Sequence, residues 1–243
     1  MATRLHNANR ILALASTAAA ALFLASTSGA DIIDIPADYA TIQAGIDAAA
    51  DGDEIIVAPG TYNEAINLAG KAVYLHSSAG SATAVIDATG LDCSVVTCAN
   101  GEDPSTVLAG FTITGGKAPG EAFPDGCGGG MFVFLATPTV VNCKFVDNVA
   151  AYDGGGVYMD ANTNASLGGR IVPIPMFLNC AFINNSAGHD GGGFCDAMCG
   201  AILRNCTFSC NGAECGGGLC CCPDYSPTMT NCILSGNLSL IHI

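Results

Sequence analysis

The stretch Asn142-Cys143-Lys144-Phe145-Val146-Asp147-Asn148, closed by Gly154-Gly155-Gly156, decides the fold, because the chain repeats it. The Asn-Cys pair returns at Asn179-Cys180, Asn205-Cys206 and Asn231-Cys232, with Cys-to-Cys steps of 37, 26 and 26 residues. Two residues after each cysteine stands a large apolar group: Phe145, Phe182, Phe208 and Leu234. Three residues further on come Asn148, Asn185, Asn211 and Asn237. Glycine triplets begin at Gly128, Gly154, Gly191 and Gly216, with steps of 26, 37 and 25. The one long step in each series places a single insertion near residues 161–171, and two independent markers agree on it.

A fixed period of this length marks a solenoid. Each unit holds short apolar or alternating runs, such as Val140-Val141-Asn142-Cys143-Lys144-Phe145 and Gly156-Val157-Tyr158-Met159. Gly and Asn turns separate these runs and leave no room for a helix. A coil of three short strands and three turns is expected, stacked on its neighbours at the ordinary strand spacing of about 4.8 Å. The predicted fold is therefore all-β, a right-handed parallel β-helix, with regular coils over about residues 126–237. Like residues should then stand above like: a thiol ladder of Cys143, Cys180, Cys206 and Cys232, a ring ladder of Phe145, Phe182 and Phe208, and an amide ladder of Asn148, Asn185 and Asn211. The glycine triplets supply positive φ and let successive turns approach closely.

The Phe-x-x-Asn pairs with Gly-Gly-Gly-apolar resemble the repeat of chlamydial polymorphic outer-membrane proteins, and more broadly right-handed β-helix proteins of the pectin-lyase-like superfamily. That repeat usually reads Gly-Gly-Ala where this chain has a third glycine. The resemblance implies an exported or surface-displayed β-helix. No transporter-barrel sequence follows the repeats, so autotransport is not expected. The first half is similar to the superfamily too. Residues 54–62 resemble the opening strand and turn of β-helix proteins, and Gly60-Thr61-Tyr62-Asn63-Glu64 fits the Gly-x-Tyr-x-Glu motif of pectin methylesterases, without their later paired catalytic Asp motif.

Strands are expected at residues 32–35, 65–68, 72–76, 84–87, 94–98 and 106–113. Residues 39–50 read as an amphipathic helix with Ile42, Ile46 and Ala49 or Ala50 on one face, fit to plug the N-terminal end of the solenoid. At the other end the chain stops at Ile243 without a polar cap, which reads as a truncated last coil.

Residues 1–30 read as a secretory signal peptide. Arg4 and Arg10 lead, an apolar run spans residues 11–24, and Ser28-Gly29-Ala30 offers small residues for cleavage before Asp31. The run is too short for a membrane span. The mature chain, 31–243, is expected to be secreted, extracellular or at the cell surface, as one domain. Without Arg4 and Arg10, five basic residues face 21 acidic ones, a balance of −16. So acidic a surface excludes nucleic acid as a partner, and disfavours anionic polysaccharides unless a cation bridges the two.

Candidate chemistry is sparse. Asp153 and Asp190 each precede a glycine triplet and should stack on adjacent coils, with Asp125 close by. They could hold Ca²⁺ through oxygen ligands, or simply favour turns before glycine. His189 sits beside Asp190. Tyr152 and Tyr158 offer rings for stacking sugars in a chain without tryptophan. Arg170, in the insertion, is the candidate base for a polysaccharide lyase, with Lys144 and Arg204 as outward alternatives. The paired carboxylates of glycoside hydrolases are not recognisable. Cysteines outside the thiol ladder suggest disulfides in an exported protein, with Cys93/Cys98, Cys195/Cys220 and Cys210/Cys215 as candidate pairs. A soft-metal site near Cys195, Cys199 and Cys220–Cys222 is the alternative. Two functions stay open: a non-enzymatic adhesion, glycan-binding or scaffold protein whose partner is an extracellular polysaccharide or cell-surface glycan, and a Ca²⁺-dependent polysaccharide lyase or related carbohydrate-active enzyme.

Overall fold

The structure, a computed structural model, describes residues 29–160, 174–221 and 226–241. Residues 1–28 of the expected 1–30 signal peptide, and the whole 161–171 insertion with Arg170, lie outside the described residues.

One repeat shows how the sequence builds a coil. Strands Thr139–Val141, Lys144–Val146, Val149–Ala150 and Val157–Asp160 follow one another around the tube. Each pairs in parallel with its counterpart one coil on: Met176–Leu178, Ala181–Ile183, Ser186–Ala187 and Phe194–Asp196. The stacked counterparts form four parallel sheets of eight, seven, five and six strands. A coil thus has four strands, not the three expected. The two-residue strand after Asn148 makes a wall of its own, too short to stand out from a turn in the sequence. Parallel strands joined by such crossovers wind right-handedly, and the chain is a right-handed parallel β-helix.

The expected ladders are present. Phe145 pairs with Phe182, Phe182 with Phe208 and Phe208 with Leu234. The rings of Phe145 and Phe182 stack at 5.2 Å, and those of Phe182 and Phe208 at 4.6 Å, all three fully buried. The thiols point inward, and each lies against a backbone carbonyl of the preceding coil: Cys143 against Leu108, Cys180 against Val140, Cys206 against Phe177 and Cys232 against Leu203. Burial pushes the Cys143 thiol up to about 11. The asparagine amides run along the stack, Asn148 to Asn185 to Asn211 to Asn237.

Within each triplet the three glycines do different jobs. The first has positive φ, +69° at Gly154 and +67° at Gly191. The second and third lie against the next coil. A Cβ on Gly155 would meet the Ser186 carbonyl at 2.3 Å, and one on Gly193 would meet the Gly218 carbonyl at 2.5 Å.

The N-terminal helix is shorter than expected, Ile42–Ala48, with Thr41 as N-cap. Ile42 and Ile46 are fully buried and join the same core as Ile33, Ile35, Ile55 and Val57, so the helix does close that end of the tube. Residues before Ile42 turn instead, because Asp38 accepts a hydrogen bond from the Asp34 N–H. The strands Ile32–Ile35 and Ala84–Asp87 appear as expected, and the others are shortened or shifted by a few residues: Ile66–Asn67, Tyr74–Ser77 and Val96–Cys98. The 106–113 run divides into Val107–Ala109 and Thr112–Thr114, because Gly110, at φ +77°, turns the chain from one wall to the next. Among the described residues no helix is long and apolar enough to cross a membrane.

Candidate functional site

The candidate residues gather on one wall, the sheet containing Met131–Phe134, Val157–Asp160, Phe194–Asp196 and Leu219–Cys221. Alternation along these strands sends Met131, Val133, Val157 and Met159 into the core. Phe132, Tyr158, Cys195 and Cys220 therefore form one outward column, each in register with the next. The residues preceding the glycine triplets form a second column beside it. Gly128 donates to the Asp153 carbonyl, Gly154 to that of Asp190 and Gly191 to that of Cys215, which puts Cys127, Asp153, Asp190 and Cys215 in vertical order. The tight glycine turn brings the two columns together. A Cβ on Gly191 or Gly216 would stand 2.8 Å from the Cβ of Cys195 or Cys220.

Asp153 and Asp190 stack at the spacing of the glycine triplets, and His189 joins them. Nδ1 of His189 lies 3.3 Å from Asp153 Oδ1 and 3.4 Å from Asp190 Oδ2, and the Asp190 N–H donates to Asp153 Oδ1 at 2.9 Å. The His189 ring stacks on Tyr152 at 5.1 Å, nearly parallel. The imidazole is half exposed, whereas Asp153 is mostly covered. Burial is the main reason its carboxyl is held above the usual aspartate range; the Asp190 charge adds to this, while the Asp190 N–H and His189 oppose it.

Two candidates do not join this cluster. Asp125 does not join Asp153 and Asp190. It sits one coil away, in the loop that folds over the wall, and lines a cleft of about 530 Å³ with Asp92, Cys93, Thr97 and Phe132. Tyr158 is outward but covered, only 6 % exposed, because Phe132 stacks on it at 5.8 Å and Phe123 of the same loop lies 5.9 Å away. Its ring offers no free face for a sugar. Desolvation pushes its hydroxyl far above the ordinary tyrosine value.

The covering rings are themselves a feature that sequence reading missed. Phe123, 45 % exposed, packs on Phe132 at 6.1 Å and on Phe134 at 5.3 Å. Phe132 and Tyr152 also pack against the Cys127–Tyr158–Cys195 cluster, so the phenylalanines and the Tyr152–His189 pair share one surface. The available signal was the alternation in Met131-Phe132-Val133-Phe134, which sends two phenylalanines outward once Met131 and Val133 are assigned to the core.

The cysteine pairs do not appear as bonds. Cys93, Cys98, Cys195, Cys210, Cys215 and Cys220 are thiols. Cys98 is buried in the core while Cys93 lines the outer cleft, so the wall lies between them. Cys210 occupies a left-handed turn position, φ +57°, and is exposed. Cys195 and Cys220 are register neighbours, as the triplet spacing implies. Cys215 stands next to Cys220 instead of Cys210. Oxygen of Asp190 and the sulfurs of Cys215 and Cys220 all lie within 4.8 Å of one another. Burial, the Asp190 charge and Cys215 push the Cys220 thiol up to about 12.

Calcium takes six to eight oxygen ligands. Here Asp190 is shared by two separate groups, one with Asp153 and the His189 imidazole, the other with the Cys215 and Cys220 thiols, and Asp125 is absent from both. The donor set does not fit calcium. Lys144 and Arg204 are exposed, outward positions on other walls.

A parallel β-helix with one wall carrying clustered rings, carboxylates and thiols is the class of protein these features define. No family model matches the sequence, and no curated protein matches it. Among solved structures the chain is similar to the pectin methylesterase from Aspergillus niger in deglycosylated form, at 12 % identity over 86 % of each chain with a TM-score of 0.44. The fold stands on the strand register described above.

Proposed function

We propose that the protein is an exported or surface-displayed β-helix that binds an extracellular or cell-surface glycan without altering it, with the coils serving as scaffold. The observation that carries this reading is the continuous ring surface of Phe123, Phe132 and Phe134, joined to the Tyr152–His189 stack and flanked by Asp92, Asp125 and Asp153. Aromatic faces receive the C–H faces of sugar rings, and carboxylates accept hydrogen bonds from their hydroxyls. The −16 balance and the poor fit to calcium favour a neutral or amino-bearing glycan over a uronate. Export rests on the residue 1–30 pattern, and surface display on the resemblance of the repeats to polymorphic outer-membrane proteins. Retention on an array of neutral and amino glycans, weakened about threefold to tenfold in Phe132→Ala and in Tyr152→Ala, is the expected result. A wild-type chain that retains no glycan overturns the reading.

One observation favours a catalytic alternative in the same place: Asp153, raised by burial, touches His189, an arrangement suited to moving a proton. Release of unsaturated product from polygalacturonate, abolished by Asp153→Asn, would replace binding with lyase activity.

A further inference from the structure

We propose that Asp190, Cys215 and Cys220 form a binding site for a zinc-class divalent ion, a role outside the glycan-binding reading, in which neither thiol takes part. The three donor atoms lie within 4.8 Å of one another. Tetrahedral zinc with bonds of about 2.3 Å to sulfur and about 2.0–2.2 Å to oxygen needs donors about 3.6–3.8 Å apart. Small side-chain rotations close that difference.

The fold, more than chance proximity, sets this geometry. Asp190 and Cys215 are paired in parallel register on adjacent coils. The backbone around them is fixed, with the Cys215 N–H donating to the His189 carbonyl at 2.9 Å and the Gly191 N–H to the Cys215 carbonyl at 3.0 Å. Gly216, at φ +61°, folds the chain back so that Cys220 returns beside Cys215. Oδ2 of Asp190 also lies 3.4 Å from His189 Nδ1, an outer contact of the kind that steadies a metal-binding carboxylate. Two thiolates select a borderline-soft ion over calcium or magnesium. All three donors are partly exposed, so a bound ion keeps a coordination position open to solvent.

The test uses the full reduced chain, titrated with Co²⁺ as a spectroscopic probe and then with Zn²⁺. Expected are tetrahedral cobalt bands with thiolate charge transfer at one ion per chain, displaced by zinc. Zinc should shield Cys215 and Cys220 from alkylation while exposed Cys210 reacts equally with and without it, a readout on the wild-type protein that needs no variant to fold. Asp190→Asn should keep the thiolate band and bind at least about tenfold more weakly. Equal alkylation of Cys215 and Cys220 with and without zinc overturns the site, as does their recovery from exported protein as a disulfide-linked pair.

Discussion

The side-chain amide of Asn148 donates to the carboxamide oxygen of Asn185 at 3.0 Å, and that same oxygen accepts the Asn148 backbone N–H at 3.0 Å. Asn185 repeats both contacts with Asn211 and donates to the Phe145 carbonyl at 2.9 Å. Each rung therefore satisfies a buried N–H and a buried carbonyl of the preceding coil as well as its neighbour's side chain.

Removing one rung should cost more than an ordinary hydrogen bond. Asn185→Ala strips partners from the Asn148 N–H, the Asn148 amide and the Phe145 carbonyl, all buried. At about 1–3 kcal/mol for each unsatisfied group, a loss of roughly 3 kcal/mol or more is expected. Urea unfolding of the variant against wild type measures it.

A second asparagine ladder on the outside should behave differently. Asn205 donates to Asn179 at 2.9 Å and accepts from Asn231 at 3.3 Å, but it is exposed and holds φ +54°. Its backbone matters more than its amide. Asn205→Gly should change stability by less than about 1 kcal/mol, whereas Asn205→Val should lose about 1–2 kcal/mol, because a branched side chain resists the left-handed region. The two denaturation midpoints, compared with wild type, check the contrast.

The third glycine of the triplet should resist alanine. A Cβ on Gly193 would lie 2.5 Å from the Gly218 carbonyl and 3.1 Å from the Asn211 side chain. Gly193→Ala is expected to lose about 1–3 kcal/mol through overpacking. A thermal midpoint equal to wild type would show that the coils can part to admit a methyl group.

Glu64 of the Gly-x-Tyr-x-Glu stretch works as a helix anchor in this chain. Its two carboxylate oxygens accept the Ile42 and Gln43 N–H groups, each at 2.9 Å. Lys71 holds the other end through the carbonyls of Ile46, Asp47 and Ala49. Glu64→Gln leaves one acceptor for two donors and should cost about 0.5–2 kcal/mol, the range of a lost N-cap. Hydrogen exchange at the Gln43 amide should rise in step.

Acid should loosen the same end. Asp53 accepts the Ala50 and Asp31 N–H groups, and these bonds lower its pKa below the usual 3.8. A carboxyl with a depressed folded pKa stabilises fully above its unfolded value, and that contribution fades as pH falls through the folded value. Stability should therefore drop as pH descends from about 4, and the drop should be smaller in Asp53→Asn. Unfolding midpoints of both proteins across that range measure the difference.

The repeating half of the fold was legible because its coils have nearly equal length. Between Phe182 and Phe208, and between Phe208 and Leu234, stacking follows a constant step of 26 residues. In the first half the same walls stack at unequal steps: Glu54 onto Tyr74, Tyr74 onto Val107, Val107 onto Thr139. Coils that vary from 20 to 33 residues erase the period, although Ile55, Leu75, Leu108 and Val140 still fall in one inward column. Of the site, the Asp153–Asp190 stack followed from spacing alone.

By itself the sequence determined which residues stand above which wherever the period holds, since parallel pairing at one strand spacing turns equal intervals into vertical columns. Only the tertiary structure decided which columns become neighbours around the tube. The glycine turn folds Cys215 against Cys220, and the 119–127 loop buries Tyr158 while presenting Phe123. Lateral adjacency depends on the angle of each turn and on segments that cross between walls, and neither leaves a period in the chain.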